Sequence, residues 1–401
     1  MPLGAEARSR EPGRALRVLV SAPDASGDLH GADFARALLA RRPGLELFGA
    51  GGDALRSAGA EILVDQRELA VAGLVEALEI VPAALRAARR LVQEVSARGA
   101  HLAVLVDAPD FHLPLARRLR RAGVPVLYYI GPNVTRWRRR RVHKVARRVD
   151  RLASIFPFEP PHYARTGLQV DYVGHPLVEP LRALRARLSR TAARSLLDLP
   201  QARPLVALLP GSRRNELRRM LPLHVETARE LHAQRPDVAF ALAVAPTIDR
   251  AEVAESLEAL WPAAPVAIVE GRSRELLLAA DVALAKPGTV TMEAALLGCP
   301  LAVAGRAHPV SAALWRRLMH VSTFAMPNLV VGNPLVPEFL QEEARPGLIA
   351  CALQELLAGP ARQRQIAGLE EVRKRLGDDV AAERAAAIAD AMLGDTGVGR
   401  R

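Results

Sequence analysis

Residues Leu205–Arg213 read LVALLPGSR, a run of apolar residues that leads directly into a turn. The apolar run is typical of a central strand in a parallel sheet, because both faces of such a strand are covered. Pro210 and Gly211 end the strand, and Ser212 can cap the helix that follows. Free amides at a helix start attract anions, and the guanidinium of Arg213 can bind phosphate oxygens through two hydrogen bonds. Phosphate binding and an ordinary strand-to-helix turn explain this motif equally well.

Apolar strands alternate with helical segments on both sides of this turn. The alternation is typical of α/β proteins with doubly wound parallel sheets. It begins near Leu16 and restarts at Leu205, so we expect two Rossmann-like domains and a helical C-terminal tail. Such folds bind ligands at the carboxyl ends of their strands, which predicts a central cleft between the domains. No Gly-x-Gly-x-x-Gly follows the first strand, so the dinucleotide fingerprint is missing.

The chain has 401 residues, enough for two domains of ordinary size. We expect a disordered leader at 1–14, an N-terminal domain at 15–195, a C-terminal domain at 196–345 and a helical tail at 346–401. The tail is expected to pack back on the N-terminal domain or on a partner chain. The leader lacks the apolar core of a signal peptide, and no apolar stretch reaches the roughly 20 residues that span a bilayer. The sequence therefore indicates a soluble or peripheral protein.

Composition limits the classes of partner. The net charge is +12, and only three of the 55 Lys and Arg residues are lysine. A positive surface favours phosphates, nucleotides or an anionic membrane face, although arginine-rich codon usage explains the excess equally well. Aromatic residues make up 4% of the chain, which argues against a base-stacking nucleic-acid surface. Cys299 and Cys351 have no metal-ligand spacing, and we expect no metal site.

Two polar turns follow predicted strands of the first half. Asp107 comes directly after the apolar strand Leu102–Val106, where open α/β sheets place their sites. A carboxylate there can act as a general base on a hydroxyl, which we favour over a turn-stabilising role. Ser26, Gly27 and Asp28 open the first helix, and their amides can face the same cleft. A simple capping turn explains those three residues equally well.

The second half contains another turn whose free backbone amides can bind an anion. Gly288 and Thr289 start a helix after a predicted strand, and Glu293 lies one turn further on, where a carboxylate can accept two ribose hydroxyls. The alternative is a capping arrangement around Thr289. Because this turn and Gly211–Arg213 belong to one domain, together they favour a nucleotide diphosphate more strongly than either does alone.

A basic run lies within the expected N-terminal domain. Residues 136–148 contain eight Lys and Arg residues and one tryptophan, Trp137. Such a run fits a surface that meets anionic lipid or an anionic substrate, and a solvated helix face is a close alternative.

These motifs, in this order and spacing, resemble the lipid-A-disaccharide synthase family across nearly the whole chain. Members of that family are inverting glycosyltransferases of the GT-B type, in which two Rossmann-like domains face a cleft. The matching stretches are Ser26–Gly31, Glu68–Val71, Val106–Phe111, Phe156–Glu159, Val173–Pro176, Leu208–Arg213, Gly288–Thr289 with Glu293, Pro327–Leu329 and Leu340–Gln341.

The resemblance implies a reaction in lipid A biosynthesis of a Gram-negative bacterium. UDP-2,3-diacylglucosamine gives its sugar to the 6-hydroxyl of 2,3-diacylglucosamine 1-phosphate (lipid X), which yields a β-1,6-linked disaccharide 1-phosphate and UDP. The family needs no metal or other cofactor. Its essential residues correspond to Asp107, Arg213 and Asn328: a general base, a diphosphate ligand and an important asparagine. The residues implied to bind substrate or nucleotide are Ser26, Gly27, Asp28, Asn133, Gly211, Ser212, Gly288, Thr289, Glu293 and Gln341.

The resemblance also implies a place in the cell and a partner. Family members are cytoplasmic and peripheral on the inner face of the inner membrane, because their substrates carry acyl chains. The basic run at 136–148 and apolar positions at 71–81 are the expected docking surface. Members also exchange C-terminal segments in a homodimer. No nucleic-acid partner is expected.

The chain departs from the family pattern near the expected cleft. Asp24 stands where a glutamate is usual, residues 131–137 have lost a tryptophan, and Lys286 with Pro287 replaces an expected serine. Two alternatives therefore stay open beside the synthase. One is another GT-B nucleotide-sugar enzyme, such as a UDP-sugar epimerase or a transferase with an unacylated acceptor. The other is a non-catalytic binder of nucleotide sugars or acidic lipid.

Overall fold

A computed structural model of the chain describes residues 15–69, 77–132, 140–306 and 323–395. Within these ranges the protein forms two parallel sheets, each covered by helices on both faces. The predicted α/β architecture with two doubly wound sheets is confirmed. The expected leader at 1–14 lies outside the described residues.

The first sheet has the strand order β3-β2-β1-β4-β5-β6-β7, and every neighbouring pair is parallel. Its strands are β1 (Arg17–Ser21), β2 (Glu46–Gly51), β3 (Ala60–Asp65), β4 (Leu102–Val106), β5 (Val126–Tyr129), β6 (Arg151–Ser154) and β7 (Gln169–Tyr172). Its helices are α1 (Ala25–Arg41), α2 (Asp53–Ser57), α3 (Ala77–Arg98), α4 (Pro109–Arg121), α5 (Arg140–Ala146) and α6 (Pro160–Tyr163), and a 3-10 turn covers Gln66–Glu68.

The second sheet has the order β10-β9-β8-β11-β12-β13 and is also parallel throughout. Its strands are β8 (Leu205–Leu209), β9 (Ala239–Val244), β10 (Val266–Glu270), β11 (Val282–Ala285), β12 (Leu301–Gly305) and β13 (Glu338–Leu340). The remaining helices are α7 (Val178–Arg187), α8 (Arg190–Leu196), α9 (Arg214–Gln234), α10 (Arg250–Leu260), α11 (Ser273–Ala279), α12 (Val290–Leu297), α13 (Met326–Val331), α14 (Pro346–Leu357), α15 (Pro360–Leu376) and α16 (Ala381–Asp395), with a 3-10 turn at Gln341–Glu343.

The unbroken apolar runs are the central strands. Every residue of β4 and of β8 is buried, because helices cover both faces of each sheet. The edge strand β7 is only partly buried and reads QVDY, with two polar residues. Burial of the apolar runs in β4 and β8 therefore fixes the centre of each sheet, and the turns that follow these strands lie at its carboxyl edge.

Helices α7 and α8 pack against the second sheet, although we expected residues up to 195 in the N-terminal domain. The Arg194 guanidinium is buried, donates to the Ala279 carbonyl at 3.0 Å and forms an ion pair with Asp281 at 2.7 Å. Arg190 pairs with the same carboxylate at 2.7 Å. Val178, Leu181 and Leu184 of α7 and Ala193 of α8 also lie in the core that contains β8, so both helices pack with the second domain.

The tail returns to the first domain of its own chain. Helix α15 packs on the second domain, where the Gln365 side chain bonds both backbone groups of Leu301. Helix α16 lies against α1, and its buried alanines, Ala385 and Ala389, belong to the core of the first sheet. None of the helices in the described ranges combines the length and apolar character needed to cross a bilayer.

Candidate active site

The predicted site residues follow the strands at which the order of strand addition reverses in each sheet. In the first sheet the chain winds outward from β1 and returns to β4 beside it; in the second, it winds outward from β8 and returns to β11. Such switch points leave a crevice at the carboxyl edge, because the flanking loops run in opposite directions. Ser26 lies at the start of α1, just after the turn that follows β1, and Asp107 lies in the turn after β4. The turns after β8 and β11 contain Arg213 and Gly288.

Asp107 is held in a strained backbone conformation at the first switch point. Asp107 and Ala108 both have left-handed φ angles, 53° and 44°, which cost an L-residue about 1–2 kcal/mol each. Three side chains hold this turn in place. The Tyr128 hydroxyl donates to the Asp107 carbonyl at 2.7 Å, and the His112 Nδ1 lies 2.7 Å from the same oxygen. The Ser21 hydroxyl lies 2.8 Å from His112 Nε2.

The hydrogen-bond pattern fixes the tautomer of His112. A carbonyl only accepts, so Nδ1 carries the proton and Nε2 accepts from the Ser21 hydroxyl. Burial lowers the pKa of His112 to about 4, so the ring is neutral at pH 7. The Asp107 backbone is thus held by two neutral side chains. A positively charged partner in their place would lower the basicity of the Asp107 carboxylate.

The pKa of the Asp107 carboxyl group is raised toward neutral pH. Burial, and after it the negative charge of Asp24, raises the pKa of Asp107 to about 6. A general base works best with a pKa near the working pH, since it is then ionised and still basic. The shortened acidic residue Asp24 therefore acts on Asp107 through its charge.

The three predicted residues Ser26, Gly27 and Asp28 lie in different surroundings. Ser26 is exposed at the start of α1, and the Asp24 carboxylate accepts from the Gly27 amide at 2.7 Å. Gly27 lies beside β4: an added Cβ would be in ordinary contact with the Val106 carbonyl oxygen, at 3.5 Å. Asp28 is buried and caps α2 instead: its carboxylate accepts amide hydrogen bonds from Gly52, Ala54 and Leu55 at 2.7, 3.0 and 3.2 Å.

The second switch point forms a cavity of about 490 Å³. It brings together six predicted residues: Gly211, Ser212, Arg213, Gly288, Thr289 and Glu293. Gly211 has φ +142°, and a Cβ there would lie 2.7 Å from the Glu216 Cβ, so the position requires glycine. The side chain of Arg213 is 84% exposed, and its nearest carboxylate, that of Glu216, is 4.0 Å away.

Two ion pairs in this cavity were not predicted from the sequence. Lys286 Nζ lies 2.7 Å from Glu216 Oε1. Arg274 Nε donates to Glu293 Oε1 at 2.8 Å, so one oxygen of the predicted ribose ligand is already engaged. The charge of Arg274 also contributes to lowering the pKa of His30, after the larger effect of burial.

Two other predicted residues lie away from this cavity. Asn328 is buried, donates to the Val336 carbonyl at 2.9 Å and to Glu338 Oε1 at 2.8 Å, and accepts from the Val336 amide at 2.7 Å. This network joins α13 to β13. Gln341 follows β13 with a left-handed φ of 55°. Neither residue lines the cavity at the second switch point.

The predicted docking surface is only partly covered by the described residues. Residues 136–139 and 71–76 of this surface lie outside them, and so does Asn133, which was predicted to bind substrate or nucleotide. Within α5, Arg141 pairs with Asp110 at 2.9 Å, and Arg148 just after it donates to the Leu113 carbonyl at 2.9 Å, so these two basic residues of the run contact the protein. In the described ranges, no group of three or more His, Cys, Asp and Glu side chains is placed to hold a metal ion.

Solved structures with the same fold define the class of protein. UDP-GlcNAc 2-epimerase from Neisseria meningitidis, bound to UDP-GlcNAc, has a TM-score of 0.60 at 11% identity over 95% of this chain and 99% of that one. Acinetobacter baumannii MurG has a TM-score of 0.57 at 13% identity over 94% and 100%. The fold is thus the two-domain GT-B fold, as predicted.

Sequence comparison identifies the family. The family model described as lipid-A-disaccharide synthetase matches residues 18–392. A protein of Myxococcus xanthus named lipid-A-disaccharide synthase is 42% identical over 92% of this chain and 96% of its own length. A protein of the same name in Geobacter sulfurreducens is 38% identical over 94% and 97%. The chain therefore belongs to the lipid-A-disaccharide synthetase family.

Proposed function

We propose that this protein condenses UDP-2,3-diacylglucosamine with 2,3-diacylglucosamine 1-phosphate, releasing UDP. The new bond joins O6 of the acceptor to C1 of the donor sugar, and the bond from C1 to the diphosphate oxygen breaks. Direct displacement inverts C1 and gives the β-1,6 linkage. Family membership supports the choice of substrates.

The observation that carries the mechanism is the state of Asp107. Its backbone is held by Tyr128 and His112, its pKa is about 6, and it ends a central strand at the first switch point. In the proposed reaction its carboxylate takes the proton of the acceptor 6-hydroxyl as O6 attacks. General-base catalysis of this kind contributes about 10²–10⁴-fold.

The departing diphosphate needs positive charge that is already in place. Arg213 supplies an exposed guanidinium, and the turns at Gly211–Ser212 and Gly288–Thr289 present backbone amides at the starts of α9 and α12. In this proposal these groups stabilise UDP as it leaves. That the enzyme needs no metal remains a prediction, tested by assay in the presence of a chelator.

The proposed place of action is the inner face of the inner membrane. Val81 and Leu85 on α3 are 54% and 40% exposed, and α3, α4 and α5 cover the same face of the first sheet. Exposed apolar side chains and basic residues on one face suit contact with anionic lipid. Co-sedimentation with vesicles containing anionic lipid, compared with neutral vesicles, tests this placement. The expected exchange of C-terminal segments in a dimer is tested by the mass of the protein in solution.

The function is tested by incubating the purified protein with both acylated substrates. We expect UDP release together with a disaccharide 1-phosphate, and loss of both products in Asp107→Asn. UDP binding without product from these substrates would contradict the proposed acceptor. Turnover that persists in Asp107→Asn would contradict the proposed base.

A further inference from the structure

Lys286 is an unusual residue in the second switch point. The chain uses arginine for nearly all its positive charges, and only three of 55 Lys and Arg residues are lysine. Lys286 is also a position at which the chain departs from the serine of the family pattern. A lysine in this cavity therefore points to a local requirement that arginine does not meet.

The backbone places Lys286 on the seam between β8 and β11. Its amide donates to the Leu209 carbonyl at 3.1 Å, where the chain leaves both strands. Its side chain then runs between the two glycine turns. Lys286 Cδ lies 3.3 Å from the position of a Cβ on Gly211, and Nζ lies 3.9 Å from that of a Cβ on Gly288. The Lys286 side chain is therefore next to both turns that can bind an anion, at Gly211 and at Gly288.

The Glu216 carboxylate is the anion that contacts Lys286 and the turn at Gly211. Its Oε1 is 2.7 Å from Lys286 Nζ, and its Oε2 accepts from the Ser212 amide at 3.2 Å. Although burial acts in the opposite direction, the hydrogen bond and charge of Lys286 hold the pKa of Glu216 below its ordinary value. A carboxylate thus fills the contacts that a bound phosphate oxygen would make.

We propose that Lys286 binds the diphosphate of the nucleotide sugar and that Glu216 is its counter-ion before the nucleotide binds. On binding, diphosphate oxygens replace the Glu216 carboxylate on Lys286 Nζ and on the Ser212 amide. This assignment rests on the proposed function, because it takes the ligand to be a nucleoside diphosphate. It adds a second cation beside Arg213.

The narrow space explains why lysine suits the position. An ammonium is a compact charge that can turn toward several oxygens, whereas a guanidinium is a planar fork that needs a matching plane. Glycine at 211 leaves room for the aliphatic stem of Lys286 and for Glu216 side by side. We therefore expect Lys286→Arg to bind UDP less tightly than the native protein.

The test compares the binding of UDP and uridine by calorimetry. Loss of a charged hydrogen bond in Lys286→Met is expected to weaken UDP binding about tenfold or more. Uridine lacks phosphates, so its affinity is expected to stay the same. The matched control is Lys374→Met, an exposed lysine near the end of α15, which is expected to bind both ligands normally. A Lys286→Met protein that binds UDP within twofold of the native protein would overturn the proposal.

Glu216→Gln tests the counter-ion role separately. The neutral amide competes less for Lys286 and the Ser212 amide, so UDP binding is expected to tighten by about threefold to tenfold. Weaker binding than in the native protein would overturn this role. If the native protein binds neither UDP nor uridine, the proposed function fails, whereas a failure confined to the variants contradicts only the assignment of Lys286 and Glu216.

A second measurement uses the native protein and does not depend on how a variant folds. Reductive methylation can be read by mass spectrometry at each of the three lysines: Lys144, Lys286 and Lys374. We expect UDP to slow methylation at Lys286 and to leave the other two unchanged. Equal methylation of Lys286 with and without saturating UDP would contradict contact with the diphosphate.

Discussion

The two switch points have the same topology and opposite chemistry. In the first, Asp107 is fixed by neutral partners, Tyr128 and His112, in a strained turn. In the second, the side chains are charged: Arg213 is mostly exposed, and Lys286 pairs with Glu216. Neutral groups hold the backbone of a carboxylate residue at the first edge, whereas charged side chains pair with one another at the second.

This difference follows from what each edge is proposed to do. A base must keep its position and its pKa, which neutral hydrogen bonds and burial provide. A leaving-group site must accept about two negative charges and then release them. In the proposal, the Glu216 carboxylate is therefore the partner of Lys286 whenever no nucleotide is bound. The same fold serves both purposes because only the turns after the strands differ.

The largest effect is expected from Asp107→Asn. The amide keeps the shape of the side chain but cannot take a proton, so kcat is expected to fall about 10²–10⁴-fold. UDP affinity, which belongs to the other edge, is expected to be unchanged by calorimetry. A loss of UDP binding in this variant would break the division between the two edges.

Arg213→Ala is expected to have the next largest effect. Removing one preorganised donor for the leaving diphosphate is expected to lower kcat about 10²-fold. Its neighbour Arg214 provides the control, because its guanidinium is paired with Glu252 at 2.7 Å. Steady-state kinetics of Arg214→Ala are expected to resemble those of the native enzyme. Equal losses in both variants would indicate a general effect of charge on α9.

Tyr128→Phe tests the support of the base. It removes the hydroxyl that donates to the Asp107 carbonyl, and kcat is expected to fall up to about tenfold while UDP affinity stays constant. Tyr163→Phe is the control, since the Tyr163 hydroxyl is buried without a hydrogen-bond partner among the described residues. A larger loss of activity in Tyr163→Phe than in Tyr128→Phe would contradict this role.

The smallest effect is expected in the pH profile. Asp107 must be ionised to act as a base, so kcat/KM is expected to fall as the pH drops below about 6. Asp24→Asn removes a negative charge that raises the pKa of Asp107, so the acid limb is expected to move to lower pH. A shift to higher pH, or none, would show that Asp24 does not act through its charge.

Much of the fold could be predicted from the sequence, because it depends on local patterns. Apolar runs such as Leu205–Leu209 mark central strands, and the restart of the alternation marks a second sheet. The placement of α7 and α8 could not be predicted in this way. It depends on Arg194 reaching Asp281, a contact between residues far apart in the chain.

The candidate site was predictable where a turn carries its own chemistry. Asp107 and the turn at Gly211–Arg213 follow strands, so the sequence predicts that they lie at the carboxyl edges of the sheets. Supporting contacts from distant parts of the chain could not be predicted, such as Tyr128 on the Asp107 carbonyl, Ser21 on His112, or Glu216 on Lys286. The sequence shows only the types of these residues, whereas their pairing depends on the order of the strands.

The return of the tail to the first domain has a mechanical consequence. The chain crosses between the domains twice, before α7 and again between α15 and α16. The crossings touch: the Tyr172 hydroxyl donates to the Leu376 carbonyl at 2.7 Å, and a Cβ on Gly174 would lie 2.7 Å from the Asp379 carbonyl oxygen. Because both covalent connections lie at one place, we expect any relative movement of the two domains to pivot there, with the largest displacements at the turns farthest from Tyr172 and Gly174.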